Sequence, residues 1–163
     1  MKKLIFTILL AVGMYSGSLF AQEVRVQGTM MILGYIDGAF LGVGAGIESP
    51  LGTHFSLNFD VNWASQEVGS TLELRPAVNY YFGKAQHGLF VGAAAKYISL
   101  NESDDQQRYD DDLYSIGFNL GFKALLSEAW TLSFVASPHK TVGGTTESDV
   151  AGISAQMAVG YRF

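Results

Sequence analysis

The chain has 163 residues, no cysteine, 10 Lys plus Arg against 15 Asp plus Glu, and a formal net charge of −5. No basic patch stands out in that balance, which argues against nucleic acid as a partner. The absence of Cys removes disulfides, thiolate nucleophiles and thiolate metal sites together. Nineteen glycines, only three prolines and 13% aromatic residues point to one strand-rich domain rather than a helical one.

Met1, Lys2 and Lys3 open a short positive region, Leu4 to Val12 is an apolar run, and Ser16 to Ala21 is a small-residue exit. This is the pattern of a secretory signal peptide cleaved after Ala21. The run is too short for the ~20 residues of a spanning helix, and no later segment is apolar for long enough. Residues 22–163 then form the mature domain, with 8 basic residues against 15 acidic ones.

The mature chain reads as a succession of alternating segments. The first, Val24 to Leu33, has Val24 and Val26 in one phase and Met31, Leu33 and Tyr35 in the other, so a bulge is expected near Gly28 to Met30. The second alternates Leu41, Val43, Ala45 and Ile47 with Gly42, Gly44, Gly46 and Glu48. Its glycines leave room for something bulky opposite, as the interior of a small barrel requires. Pro50 and Gly52 punctuate a turn, and the third strand sets Phe55, Leu57, Phe59, Val61 and Trp63 against Ser56, Asn58, Asp60 and Asn62. After a polar connection over Ser65 to Ser70, the fourth sets Leu72, Leu74, Pro76, Val78, Tyr80 and Phe82 against Glu73, Arg75, Ala77 and Asn79. Pro76 has no N–H to donate, so it should mark a bulge or a local break in the ladder.

Gly83 to Gly88 is the next turn, and the fifth strand alternates Leu89, Val91, Ala93, Ala95 and Tyr97 with Gly92, Ala94 and Lys96. Asn101 to Asp112 reads as the longest loop and carries six carboxylates. The sixth strand sets Tyr114, Ile116, Phe118, Leu120 and Phe122 against Ser115, Asn119 and Lys123. The seventh carries Trp130, Leu132, Phe134 and Ala136, and Thr141 to Ser148 is a loop. The eighth alternates from Ala151 to Phe163, with Arg162 on its small, polar face.

Eight strands, turns alternating with more polar connections, and aromatics at both strand ends fit an all-β, eight-stranded antiparallel up-and-down transmembrane β-barrel. Tyr80, Trp130, Tyr161 and Phe163 belong to the turn-side girdle, and Trp63 and Tyr97 to the loop-side one. The apolar face of strands two to eight carries no charge, as lipid requires, whereas the other face lacks the Lys and Glu density of a water-exposed surface. A soluble lipocalin-like ligand carrier, with the faces reversed, is the alternative.

The signal sequence, the eight strands and the closing Ala-Val-Gly-Tyr-Arg-Phe resemble the small outer-membrane barrels of the OmpX and OmpA transmembrane-domain kind. The segment Asn79 to Tyr97 is similar to a poorly characterised group of small bacterial outer-membrane barrels. The resemblance implies an outer-membrane address, contact with outer-membrane lipid and lipopolysaccharide, insertion by the barrel-assembly machinery through the C-terminal strand, and a monomer. It brings no functional residues, no cofactor and no peptidoglycan-binding domain after the barrel.

The expected site is a lumen ion-pair network of Asp60, Glu73, Arg75, Lys96, Lys123 and Arg162, since unpaired charge in an interior just wide enough for side chains is costly. A gated ion pathway would use the same residues. The carboxylates of Glu102 to Asp112 are candidates for divalent cations bridging to lipopolysaccharide phosphates, although no D-x-[DN]-x-[DN]-G spacing is present. Ser137, His139 and Asp149 are the one set that catalysis could use near a rim, and they lack an evident nucleophile–base geometry. The expected role is therefore non-enzymatic: envelope stabilisation or surface binding, with a narrow pore as the alternative.

Overall fold

The computed structural model describes residues 23–34, 38–67, 69–84, 86–104, 107–145 and 150–163, and within these the side chains of 102–110 are not described. Residues 1–21, read above as a signal peptide, lie outside the described residues. Eight strands run β1 (Glu23–Leu33), β2 (Phe40–Leu51), β3 (Phe55–Gln66), β4 (Gly69–Tyr81), β5 (Gly88–Asp104), β6 (Gln107–Leu125), β7 (Trp130–Gly144) and β8 (Ala151–Arg162). Each pairs antiparallel with the next, and β8 closes on β1 from Glu23↔Arg162 to Leu33↔Gly152, giving a closed up-and-down barrel.

Side chains alternate across the wall, and the charged ones turn inward. Val26, Leu41 and Val43 are 67%, 61% and 62% exposed on the outer face, while Glu48, Asp60 and Glu73 are fully buried in the lumen. Burying charge while exposing Val, Leu and Phe is stable only where the outside is hydrocarbon. The fold is thus a transmembrane barrel, and the lumen a soluble carrier would use for its ligand is filled with charge.

Four local expectations are settled by the wall. β1 contains no bulge: its ladders to β2 and β8 run in unbroken register and its side chains alternate from Glu23 to Leu33. The change of phase in its sequence comes from the lumen, which is charged beside Arg25 and apolar beside Met31. Pro76 does interrupt a ladder. The β4–β5 pairing skips Arg75 and Pro76 and resumes at Ala77↔Ala94 in the same register, a break without a bulge. Pro138 stands at a matching gap, because the β6–β7 pairing skips from Gly117↔His139 to Leu120↔Ala136.

The polar loop-side segments are mostly strand. The β5–β6 ladder continues to Asp104↔Gln107, β3–β4 to Gln66↔Gly69, and β7 to Gly144. Polarity there marks where the wall leaves the hydrocarbon, since a ladder of backbone hydrogen bonds continues into water whatever its side chains. The longer β7 also places Lys140 on the outer face, exposed near the loop-side rim, so that face is not wholly without charge. Long Lys side chains near a rim reach the interface along their own stems.

Candidate functional site

The lumen is layered along the barrel axis. At the turn-side end Lys123 Nζ donates to Glu23 Oε1 at 2.8 Å and, more closely, to Glu48 Oε2. Glu48 also accepts from Arg25 Nη1 at 3.0 Å and from the Tyr81 hydroxyl at 2.7 Å. One layer further in, a single carboxylate takes two guanidinium groups. Asp60 Oδ1 accepts from Arg25 Nε at 3.1 Å and Nη2 at 2.6 Å, and Oδ2 accepts from Arg75 Nε at 3.2 Å and Nη2 at 2.7 Å. Two such forks hold the planar groups of both arginines in place.

Arg25 fits across the wall because position 46 is glycine: a Cβ there would collide with the Asp60 carboxylate and press on Arg25 Nε. Arg75 Nη2 also donates to Gln156 Oε1 on β8, carrying the network across the lumen. Gln27 Nε2 donates to Asn62 Oδ1 at 2.7 Å, and Asn62 Nδ2 to Glu73 Oε1 at 2.8 Å, which leads to the third layer. There Lys96 Nζ lies 3.4 Å from Glu73 Oε2 and 3.0 Å from His139 Nδ1, and it donates to Ser154 Oγ.

Among the described residues, the buried charged side chains are four carboxylates, Glu23, Glu48, Asp60 and Glu73, and four cations, Arg25, Arg75, Lys96 and Lys123. The formal charge of the lumen is therefore zero. Beyond the third layer the interior becomes apolar: Met31, Leu33, Phe40, Ala64, Ile98, Leu100, Leu113 and Val150 pack into one buried cluster at the loop-side end.

The structure brings Asp60, Glu73, Arg75, Lys96 and Lys123 into this network. Arg162 takes no part in the hydrogen bonds described above and lies half-buried at the last position of β8. Arg25, which the sequence reading did not single out, joins the network beside Asp60 and Glu48, and Glu23, Gln27, Tyr81, His139 and Gln156 were likewise not expected in it. The signal for the β1 members was present, since Glu23, Arg25, Gln27 and Thr29 alternate against Val24 and Val26.

Ser137 and His139 are buried in the lumen rather than at a rim, and His139 Nδ1 faces the Ser137 carbonyl oxygen at 3.2 Å. Asp149 lies outside the described residues. Among the described residues no cluster of three or more His, Asp or Glu side chains has the arrangement of a metal site. Of the acidic segment, Asp112 Oδ1 accepts from the Tyr97 hydroxyl at 2.6 Å and Asp111 Oδ1 from Thr145 Oγ1 at 2.8 Å, so both are tied into the rim.

The expected interface aromatics all lie on the outer face, clustered by depth. On the turn side Tyr80 packs between Phe55 and Phe82, with ring centroids 5.2 and 5.5 Å away, and Tyr161 packs between Trp130 and Phe163 at 5.2 and 5.6 Å. On the loop side Tyr97 meets Tyr114 at 5.5 Å, and Trp63 is half exposed. Such belts sit where hydrocarbon gives way to headgroups.

This architecture is shared with solved outer-membrane barrels. The chain is similar to Neisserial surface protein A at 9% identity and a TM-score of 0.67, covering 86% of this chain and 95% of that one. It is similar to the N-terminal β-barrel domain of Pseudomonas aeruginosa OprF at 21% identity and a TM-score of 0.55, covering 87% and 98%. It also matches Ail, the attachment invasion locus protein of Yersinia pestis, at 10% identity and a TM-score of 0.54, covering 86% and 95%. None of the curated proteins matches the chain. With a family model aligned over residues 4–138, the chain belongs to the family described as protein of unknown function (DUF3575).

Proposed function

We propose that this protein is a non-enzymatic, non-conducting barrel of the bacterial outer membrane that reinforces the envelope and presents the β5–β6 hairpin at the cell surface. The observation that carries the reading is the lumen: eight buried charges of zero formal sum, cross-bonded through three layers and followed by an apolar cluster. An ion entering would have to displace charge-assisted hydrogen bonds and then cross apolar side chains, and such constrictions exclude ions by dewetting. The surface role follows from lengths. β5 and β6 have 17 and 19 residues against 11 to 13 in β1 to β4, and β6 begins six residues beyond Leu113↔Gly144, its last pair with β7. Outer-membrane lipid is the surrounding partner, and the C-terminal strand is the segment offered to the assembly machinery.

Planar-bilayer recording with refolded mature protein tests the lumen. Electrical silence is expected, and discrete single-channel steps would instead favour a narrow pore. Detergent sensitivity of a strain lacking the protein then separates the two remaining roles. A variant shortened between Asn101 and Asp112 should restore envelope resistance in full while losing any surface binding.

A further inference from the structure

The turn-side end of the barrel closes on one side chain that lies outside the charge layers. Residues 51–54 and 126–128, in two of the connections at that end, are exposed throughout. In the β4–β5 connection, by contrast, Gln86 turns inward and is fully buried, although Lys84 and His87 are exposed. Its Nε2 donates to the main-chain carbonyl oxygen of Glu48 at 3.2 Å. Glu48 belongs to β2, two places round the wall from β4, so the Gln86 side chain reaches across the rim of the lumen rather than back onto its own hairpin.

The same hairpin supplies two further covers. Tyr81 and Phe90 are register partners at its base, both buried, with ring centroids 4.9 Å apart. The Tyr81 hydroxyl donates to the Glu48 carboxylate, and Phe90 lies over Gly121 on β6, where a Cβ would strike its ring. Gln86 holds its place against local preference. Its φ of 63° is the only positive value among the described non-glycine residues, in the left-handed region that L side chains rarely adopt. Burial also strips its amide of water, while Oε1 gains no hydrogen bond from the described residues in return. Neither backbone nor amide is stabilised by this placement; what it accomplishes is closure. Strain of this kind persists where surrounding structure imposes it, and it clusters at clamps and switches.

We propose that Gln86 is a releasable stopper of the turn-side mouth. Seated on Glu48, it seals the lumen; withdrawn, it opens the layer of Glu23, Glu48 and Lys123 to water and small cations from the turn side, while the apolar cluster keeps the loop side shut. The stopper rests on the closed-lumen reading and deepens it. Bilayer silence reports whether the barrel is shut, and thiol labelling reports which group shuts its turn side, so one can fail without the other.

The chain has no cysteine, so single reporters label without background. Ser133→Cys places a thiol in the lumen beside its ladder partner Lys123, and Ser115→Cys places one nearer the loop side. The mature protein, folded in detergent, is exposed to 2-aminoethyl methanethiosulfonate, a small water-soluble cation, and labelling is followed by intact mass. Gln86→Gly removes the stopper and its strained φ together. It should raise the rate at Ser133→Cys by about tenfold or more, leave Ser115→Cys slow, and keep the urea midpoint of the gel-shifted species unchanged or higher. A merely structural Gln86 would instead give a lower midpoint. Gln86→Asn, which tolerates the same φ but is too short to reach Glu48, should label as the glycine variant does, and it decides the matter if that variant does not fold. Rates unchanged by either substitution, an equal rise at both reporters, or a rise matched by a falling midpoint would overturn the stopper.

Discussion

The two ends of the lumen are built on opposite principles. Toward the turns, stability depends on carboxylates and cations meeting in fixed geometry; toward the loops, it depends on Met31, Leu33, Phe40 and Leu113 filling space. The polar end is specified by direction and the apolar end by volume. A buried ion pair fails badly when one partner is removed, whereas an apolar cluster yields gradually as neighbours relax into a vacated space.

Substitution of Asp60 is the most severe test of this contrast. Asp60→Ala leaves two guanidinium groups facing each other without a carboxylate and should cost about 3–5 kcal/mol, read as the urea midpoint of the gel-shifted species in detergent. A loss below about 1 kcal/mol would mean that water replaces the carboxylate and the network is not structural. At the other end, Leu113→Ala should cost about 2–4 kcal/mol in the same assay and should be rescued in part by enlarging a neighbour, as space-filling predicts. Pairing it with Asp60→Ala should give additive losses, because the two lie in separate layers.

Gly46→Ala asks whether direction or volume dominates between the ends. Its methyl would strike the Asp60 carboxylate, so a loss of about 1–3 kcal/mol is expected, and it should shrink when Asp60 is already absent. The smallest effect belongs to the rim. Tyr97→Phe removes the hydroxyl that donates to Asp112 and should cost about 0.5–1.5 kcal/mol, with proteolytic sensitivity of the β5–β6 tip rising before global stability changes.

The eight strands and the inward and outward assignment of their faces were legible because each strand from β2 onward keeps period two through the membrane. Glycines at 42, 44 and 46 and charges at 60, 73, 75 and 96 fall in the same phase. β1 was misread where the rule that apolar means outward stops holding. Met31 and Leu33 are apolar and inward because the loop-side lumen is itself apolar, a property of the assembled barrel that no single strand displays. Arg25 was overlooked although Glu23, Arg25, Gln27 and Thr29 already alternate against Val24 and Val26, and Arg162 was included because alternation alone does not reveal that the last position of β8 lies only half-buried at the strand end. The far ends of β5 and β6 were taken for a loop because the sequence from Asn101 to Asp112 is polar in both phases, which hides the alternation while the backbone pairing continues.

The interrupted ladders beside Pro76 and Pro138 bear on how the wall comes apart. Between them, β5 and β6 share 17 consecutive pairs from Gly88↔Lys123 to Asp104↔Gln107, while their outer flanks are each interrupted. The hairpin is a panel stitched firmly to itself and loosely to its surroundings. Amide protons along the two flanks, near Ala95 and Phe118, should therefore exchange with solvent sooner than those inside the panel, and forced extraction of the barrel should release β5 and β6 as a unit.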